Sequence, residues 1–458
     1  MLLKVTSGEL LSEFISGAGH LHNTPCGGRG VCRRCTVKLV SGEWLCGDKK
    51  VIAPAEVLSC QTRLAGAEGV VEFIPQSPTG GIADEWLNTI FPAGAGCVIG
   101  VDIGTTTVAA VKYSGGRRVD GCGVLNPQVR FGDNSISRIA AAPQHLAEMR
   151  TIIREAVENL LLELGVDDVC RIGIAGNTVM LSLFYGIDPS PIGVAPFEPA
   201  VKEFPPCTLL GIETLAVPCI SGYIGGDLTA GYFCTRPAVG EMLVDMGTNC
   251  EIIFNTPGGI YCTSAAAGPA FEGKGLHCGC RAMTGAVEHY RGENDFDTVG
   301  GGEPTGICGS GYVDWLAEER KAGHLTPAGR LQPAAEKKYI TDKVFIHESD
   351  ISELLKAKAA IYAGISSLEK YCSCKASRIW LAGGFARYIN TANAIACGML
   401  PEREYVCVGN TSLAGALQLA LTPEADAEMQ DIRRGMKEIP LNTLADFEDD
   451  FIDALLLP

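Results

Sequence analysis

An apolar strand, an Asp-x-Gly-Thr turn and a second apolar strand occur twice in this chain, and that repeat constrains its fold more than any other feature. CVIGVDIGTTTVAAVKY starts at Cys97 and EMLVDMGTNCEIIFN at Glu241, so Asp102 and Asp245 hold equivalent places about 140 residues apart. Both segments read as hairpins, not as the strand-to-helix turn of a P-loop. Gly104 and Gly247 let the backbone approach a phosphate, and Thr105, Thr106, Thr248 and Asn249 add donors. Two carboxylates beside a nucleotide's phosphates suit Mg²⁺, a hard cation. One such turn is an ordinary hairpin. Two of them, followed by AGGFA with Gly383 and Gly384 placed for an adenosine, read as an ATP site with Asp102 and Asp245 facing across a cleft. Asp227 in IGGDLTAG either reaches a magnesium-bound water or caps its helix.

A different chemistry precedes this repeat. Cys26, Cys32 and Cys35 lie in CGGRGVCRRC, and Cys60 follows. The spacing C-x5-C-x2-C…C is one residue off the plant-type pattern for a 2Fe–2S centre held by four thiolates. Zinc is the alternative, but it usually takes two Cys-x2-Cys knuckles or histidine partners. Cys46, at the end of GEWL, is the local competitor and reads as a buried free thiol. The flanking TVKLVSG and GVVEFIP are β-branched strands, and LLKVTSGELLSEFISGAG reads as strand, turn and helix.

The chain is long enough for several domains, with a ferredoxin-like domain at 1–75, a linker at 76–97, one lobe at 98–240 and a second at 241–458 that ends in a return helix. Net charge is −16 without basic clusters, which argues against nucleic acid and anionic membrane as partners. No apolar run reaches a membrane span, and the N-terminus does not read as a signal peptide. The 20 cysteines are scattered, unlike a secreted disulfide framework, and fit a reducing, anaerobic cytoplasm. LAEMRTIIREAVENLLLELG has helical periodicity, and the acidic last thirty residues read as surface-packed or mobile helix.

Residues 98–458 resemble the actin, sugar-kinase and acetate-kinase superfamily, in which two ribonuclease-H-like lobes clamp ATP. GVDIGTTT and VDMGTN match its phosphate loops and LAGGFA its adenosine loop, with hinge helices after Gly226 and Leu413. NPQVRFG, GNTVMLSLFYGIDP, SGYIGGDLTAG, GPAFEGKGLHCG, GICGSG and AGGFARYIN resemble the reductive activators of corrinoid proteins. That family also carries an N-terminal 2Fe–2S domain of the CGGxGxCxxC type. The implied fold is therefore an α+β, β-grasp ferredoxin-like domain followed by a two-lobed α/β ATPase. The implied activity is ATP-dependent reduction of a partner's Co(II) corrinoid to Co(I), with a ferredoxin or flavoprotein as reductant. The chain departs from the family in its short linker, in Cys250 for a glycine, in Asn134 for an aspartate, with Asp133 beside it, and in Ala386 for a glycine.

Two alternatives remain at this stage: an ATP-dependent electron donor to another metalloenzyme, and a small-molecule kinase with a regulatory cluster. Cys278-x-Cys280 and Cys372-x-Cys374 raise a second cluster, bridging two subunits of a homodimer; Cys308 reads as a packing thiol. Glu272 and Lys274 in FEGKG either approach the nucleotide or belong to a solvated loop, and His277 and His289 read as structural.

Overall fold

Alternating burial along Thr36–Ser41 gives the N-terminal region a sheet with one apolar face. In the computed structural model, which describes residues 1–18, 35–73, 96–132, 134–384, 386–422 and 424–458, this strand lies third in an antiparallel sheet. The order is Leu2–Val5, Gly69–Glu72, Thr36–Ser41, Ala55–Leu58. The helix Leu11–Gly17 sends Leu11 and Ile15 into a core with Val37, Leu39, Trp44 and Val71, a β-grasp arrangement. Trp44 is fully buried, and its Nε1 donates to the Ser41 carbonyl at 3.1 Å. A Cβ on Gly69 would come 2.4 Å from the Trp44 ring, so the strand must carry glycine there. Cys26, Cys32 and the linker up to residue 95 lie outside the described residues.

The described residues beyond this include two six-stranded sheets with one topology. In the first, Cys97–Ile103, Thr107–Ser114 and Arg117–Leu125 run as an antiparallel meander. Val169–Gly176 then pairs parallel to the first of these strands, and Ile212–Ala216 pairs parallel to Val169–Gly176. The second repeats the plan with Glu241–Met246, Cys250–Thr256 and Gly259–Ala265, then Arg378–Ala382 and Glu404–Gly409. Strand order 3-2-1-4-5 in both is the ribonuclease-H-like plan. Each sheet gains one edge strand, Cys207–Leu209 in the first and Met436–Glu438 in the second.

Chain contacts divide the described residues into one unit up to Ala216 and another from Val217 to Pro458. The helix Gly226–Thr235 falls in the second, ahead of the lobe boundary placed at 240 from sequence, because it packs on Thr411–Leu421. Small residues permit that packing: a Cβ on Gly415 would lie 2.5 Å from that of Ala230, and one on Gly231 2.8 Å from Thr411 Oγ1. The helix Ser135–Leu164 starts well before its periodic stretch and passes through Pro143, because Asn134 caps it, accepting from Ser137 N at 2.8 Å. The acidic C-terminal region is built into the second unit. Met436–Glu438 joins the sheet edge, Leu457 is buried, and buried Lys358 donates to the Leu456 carbonyl. Burial lowers the Lys358 ammonium to about 8.

Trp44→Ala should destabilise the N-terminal domain by about 3–5 kcal/mol, the usual cost of deleting a buried indole. Denaturant unfolding followed by fluorescence and circular dichroism checks this.

Candidate functional site

The residues expected to hold a cluster can be compared at two of four positions. Cys35 precedes Thr36–Ser41, and Cys60 lies in the turn Ser59–Gln61 after Ala55–Leu58. These strands pair antiparallel with Thr36 opposite Leu58, so the two cysteines meet where the ladder ends. Ser59 N donates to the Cys35 carbonyl at 2.9 Å, and the sulfurs lie 3.2 Å apart, both buried. Two buried free thiols at that separation suit an iron–sulfur group. Cys46 is a half-buried free thiol on the Glu43–Cys46 strand, paired opposite Lys49 and Thr62.

In the first lobe, Asp102 stands one residue before the end of its strand, in register with Ala175 on the fourth strand. The next residue, Gly176, has no room for a side chain, because a Cβ would meet the Ile103 carbonyl at 2.7 Å. The turn closes through Gly104 N to the Thr107 carbonyl at 2.9 Å. Three neighbours brace it. Asn126, fully buried, bonds the Gly104 carbonyl through Nδ2 and the Thr106 carbonyl through its backbone N, both at 2.9 Å. Arg138, also fully buried, donates from Nη2 to the Thr105 carbonyl at 2.6 Å. Asn177 Nδ2 donates to Thr105 Oγ1 at 2.9 Å. Tying three carbonyls back into the lobe keeps acceptor oxygens away from an approaching anion. The sequence reading missed Gly176, Asn126, Asn177 and Arg138; the shared Ala-Gly after the strand, in RIGIAGN and IWLAGGFA, was the available signal for the first.

The second lobe repeats the arrangement. Asp245 is in register with Ala382, and a Cβ on Gly383 would lie 2.6 Å from the Met246 carbonyl and 2.9 Å from Asp245 Oδ1. Gly383 also has φ of +97°, which favours glycine, whereas the Gly384 position is open. Gly247 N bonds the Asn249 carbonyl at 2.9 Å, closing the second turn. Asp227, in the first turn of Gly226–Thr235, accepts from Leu228 N at 2.9 Å, while the N-cap position is held by Gly225 without a side-chain cap. Opposite Asp245 on the neighbouring strand is Glu251, which sequence spacing did not single out. Limited exposure, with the charges of Asp227 and Asp245, pushes the Glu251 carboxyl well above the usual carboxylate range. Cys250 is fully buried; burial, with the nearby Glu251 and Asp245, keeps its thiol neutral, so it packs where a glycine was expected. Ala386 is likewise buried, at the start of the turn Ala386–Tyr388.

Among the remaining residues, Cys278 Sγ accepts from Phe345 N at 3.5 Å, and no group of three or more metal-type side chains occurs among the described residues. Cys308 is buried, its thiol donating to the Val287 carbonyl at 3.3 Å. His277 and His289 pair with the buried carboxylates Asp350, at 2.9 Å, and Asp314, at 3.2 Å.

Fold and site together define an iron–sulfur protein joined to an ASKHA-type ATPase. Family profiles match residues 3–65 as a 2Fe-2S iron-sulfur cluster binding domain, 97–236 as the RACo middle region and 240–458 as the C-terminal ASKHA domain of RACo. The chain belongs to this family, the reductive activators of corrinoid proteins. It is similar to the corrinoid activation enzyme RamQ of Eubacterium limosum, 29% identical over 412 residues, covering 77% of this chain and 69% of that one. The Co(II) methylated amine-specific corrinoid protein reductase of Methanosarcina barkeri is 27% identical over 323 residues, or 59% of each chain. This chain thus spans less than two thirds of the second relative. A solved reductive activator for corrinoid, iron-sulfur protein superposes with a TM-score of 0.72 at 25% identity, covering 99% of this chain and 96% of that one. Among the described residues, no helix is long and apolar enough to cross a membrane.

Two stability measurements test the second lobe. Gly383→Ala should cost about 1–3 kcal/mol through strain and close contact, while Gly384→Ala should stay within about 0.5 kcal/mol. Because the native Glu251 carboxyl holds its proton to higher pH than the unfolded one, nucleotide-free stability should fall as pH rises from the ordinary glutamate range toward the raised value. Glu251→Gln should remove that fall and raise stability at neutral pH, read from denaturant midpoints across a pH series.

Proposed function

We propose that this protein is an ATP-dependent reductive activator that delivers one electron to the Co(II) corrinoid of a partner protein, returning it to Co(I). One observation carries the reading: a RACo-family chain combines the buried Cys35–Cys60 thiol pair with two equivalent Asp–glycine phosphate turns. A 2Fe–2S cluster held by Cys26, Cys32, Cys35 and Cys60 supplies the single electron. Cys35 and Cys60 hold their sulfurs together at the end of a rigid strand pair, out of water.

Asp102, Asp245 and Asp227 serve Mg²⁺ and its bound water. Gly104, Thr105, Thr106, Gly247, Thr248 and Asn249 receive phosphates, and Gly383 and Gly384 receive the adenosine. Two features support this reading: Gly176 and Gly383 pack closely against the strands that carry the aspartates, and carboxylates stand at both strand ends. The domains follow the division read from sequence at 1–75, 98–240 and 241–458, with 76–97 as tether, except that the helix Gly226–Thr235 goes with the second lobe. The reductant is a ferredoxin or flavoprotein, and the protein works in the cytoplasm.

Anaerobically purified protein should hold two irons per chain by the four-thiolate reading, and Cys60→Ala should lose them while Cys46→Ala keeps them. Asp245→Ala should lower ATP turnover by roughly a hundredfold without changing iron content. Visible spectroscopy of a corrinoid partner should show more Co(I) with ATP than without it at one donor potential. Equal Co(I) in both conditions rules out coupling, and phosphoryl transfer to a metabolite instead would favour the kinase alternative.

A further inference from the structure

The segment GPAFEGKG is folded against the second phosphate turn. The Thr248 hydroxyl donates to Glu272 Oε1, and Glu272 Oε2 lies 3.4 Å from Lys274 Nζ. Only 20% of the Glu272 side chain and 12% of the Lys274 side chain are exposed, which excludes the solvated-loop reading. Their backbone is fixed as well. Glu272 N and Lys274 N both bond the Pro269 carbonyl at 3.1 Å, and Gly273 has φ of +73° with its Cβ position 2.2 Å from the Cys280 carbonyl oxygen. Arg281 is close enough for Glu272 to act on its charge. An internal carboxylate therefore sits between a phosphate-turn hydroxyl and an ammonium. These are the kinds of donor that converge on a phosphate oxygen.

We propose that Glu272 is a built-in anion occupying the place of a nucleotide phosphate oxygen, and that ATP displaces it from Thr248 and Lys274. This rests on the nucleotide reading of the second turn. Lys274 then contacts phosphate, while Glu272 opposes its entry and holds both donors oriented in the nucleotide-free protein. A pair that merely stabilised the loop would make the two residues act in the same direction. A displaced anion makes them act in opposite directions.

Calorimetry on the full-length protein with a non-hydrolysable ATP analogue, and with adenosine as the phosphate-free control, separates these cases. Glu272→Gln keeps the shape but removes the charge, and should tighten the analogue about fivefold. Lys274→Met should weaken it by about fivefold, the scale of one partly screened ion pair, and Lys274→Arg should restore it. Adenosine affinity should stay unchanged in all three. Unchanged analogue affinity in Glu272→Gln, or weakening in parallel with Lys274→Met, overturns the proposal while leaving the nucleotide reading standing. Wild-type protein that binds neither probe overturns the nucleotide reading, and this inference with it. Should Lys274→Met fail to fold, the isosteric Glu272→Gln still decides.

Discussion

Each lobe depends on one close approach between its first and fourth strands. Beyond Asp102, the Ile103 carbonyl comes within 2.7 Å of where a Gly176 Cβ would stand; beyond Asp245, the Met246 carbonyl does the same for Gly383 at 2.6 Å. A methyl group at either place would part the strands that present the aspartate. The register Asp102–Ala175 and Asp245–Ala382 follows from the same contact, so the carboxylate position and the glycine are one constraint. The phosphate turns are extensions of it.

Around that shared frame the two lobes use different electrostatics. The first turn is braced by Asn126, Asn177 and the buried guanidinium of Arg138, which bind its carbonyls and a hydroxyl. The second is surrounded by carboxylates: Asp227 and Asp245 act on Glu251, and Glu272 accepts from Thr248. Desolvation, with the charges of Asp227 and Asp245, raises the proton affinity of Glu251, and a divalent cation relieves that crowding. Asn134 caps the helix Ser135–Leu164 through its amide oxygen, a role that needs an acceptor and not a charge.

Asp102, Asp245 and the cysteine spacing were singled out in sequence because they lie in short, fixed patterns that survive without knowledge of the fold. The same holds for the two ribonuclease-H-like sheets, whose duplicated hairpins announce themselves. Glu251 and Gly176 were not legible as site residues, since each gains its role from the strand lying beside it. Glu272 was legible only as an open choice between nucleotide and solvent, and its burial against Thr248 removes the solvated-loop reading.

Sequence alone therefore determined the local parts of this protein: the cysteine spacing, the Asp-x-Gly-Thr turns, the Ala-Gly-Gly segment after the fourth strand and the small-residue helices. Tertiary structure alone decided which parts meet. It put Cys35 against Cys60 at a ladder end, Arg138 on the Thr105 carbonyl, and the helix Gly226–Thr235 on Thr411–Leu421. The reason is physical. A turn is set by the dihedral freedom of a few neighbouring residues, whereas a strand register or a glycine contact is set by packing between residues far apart in the chain.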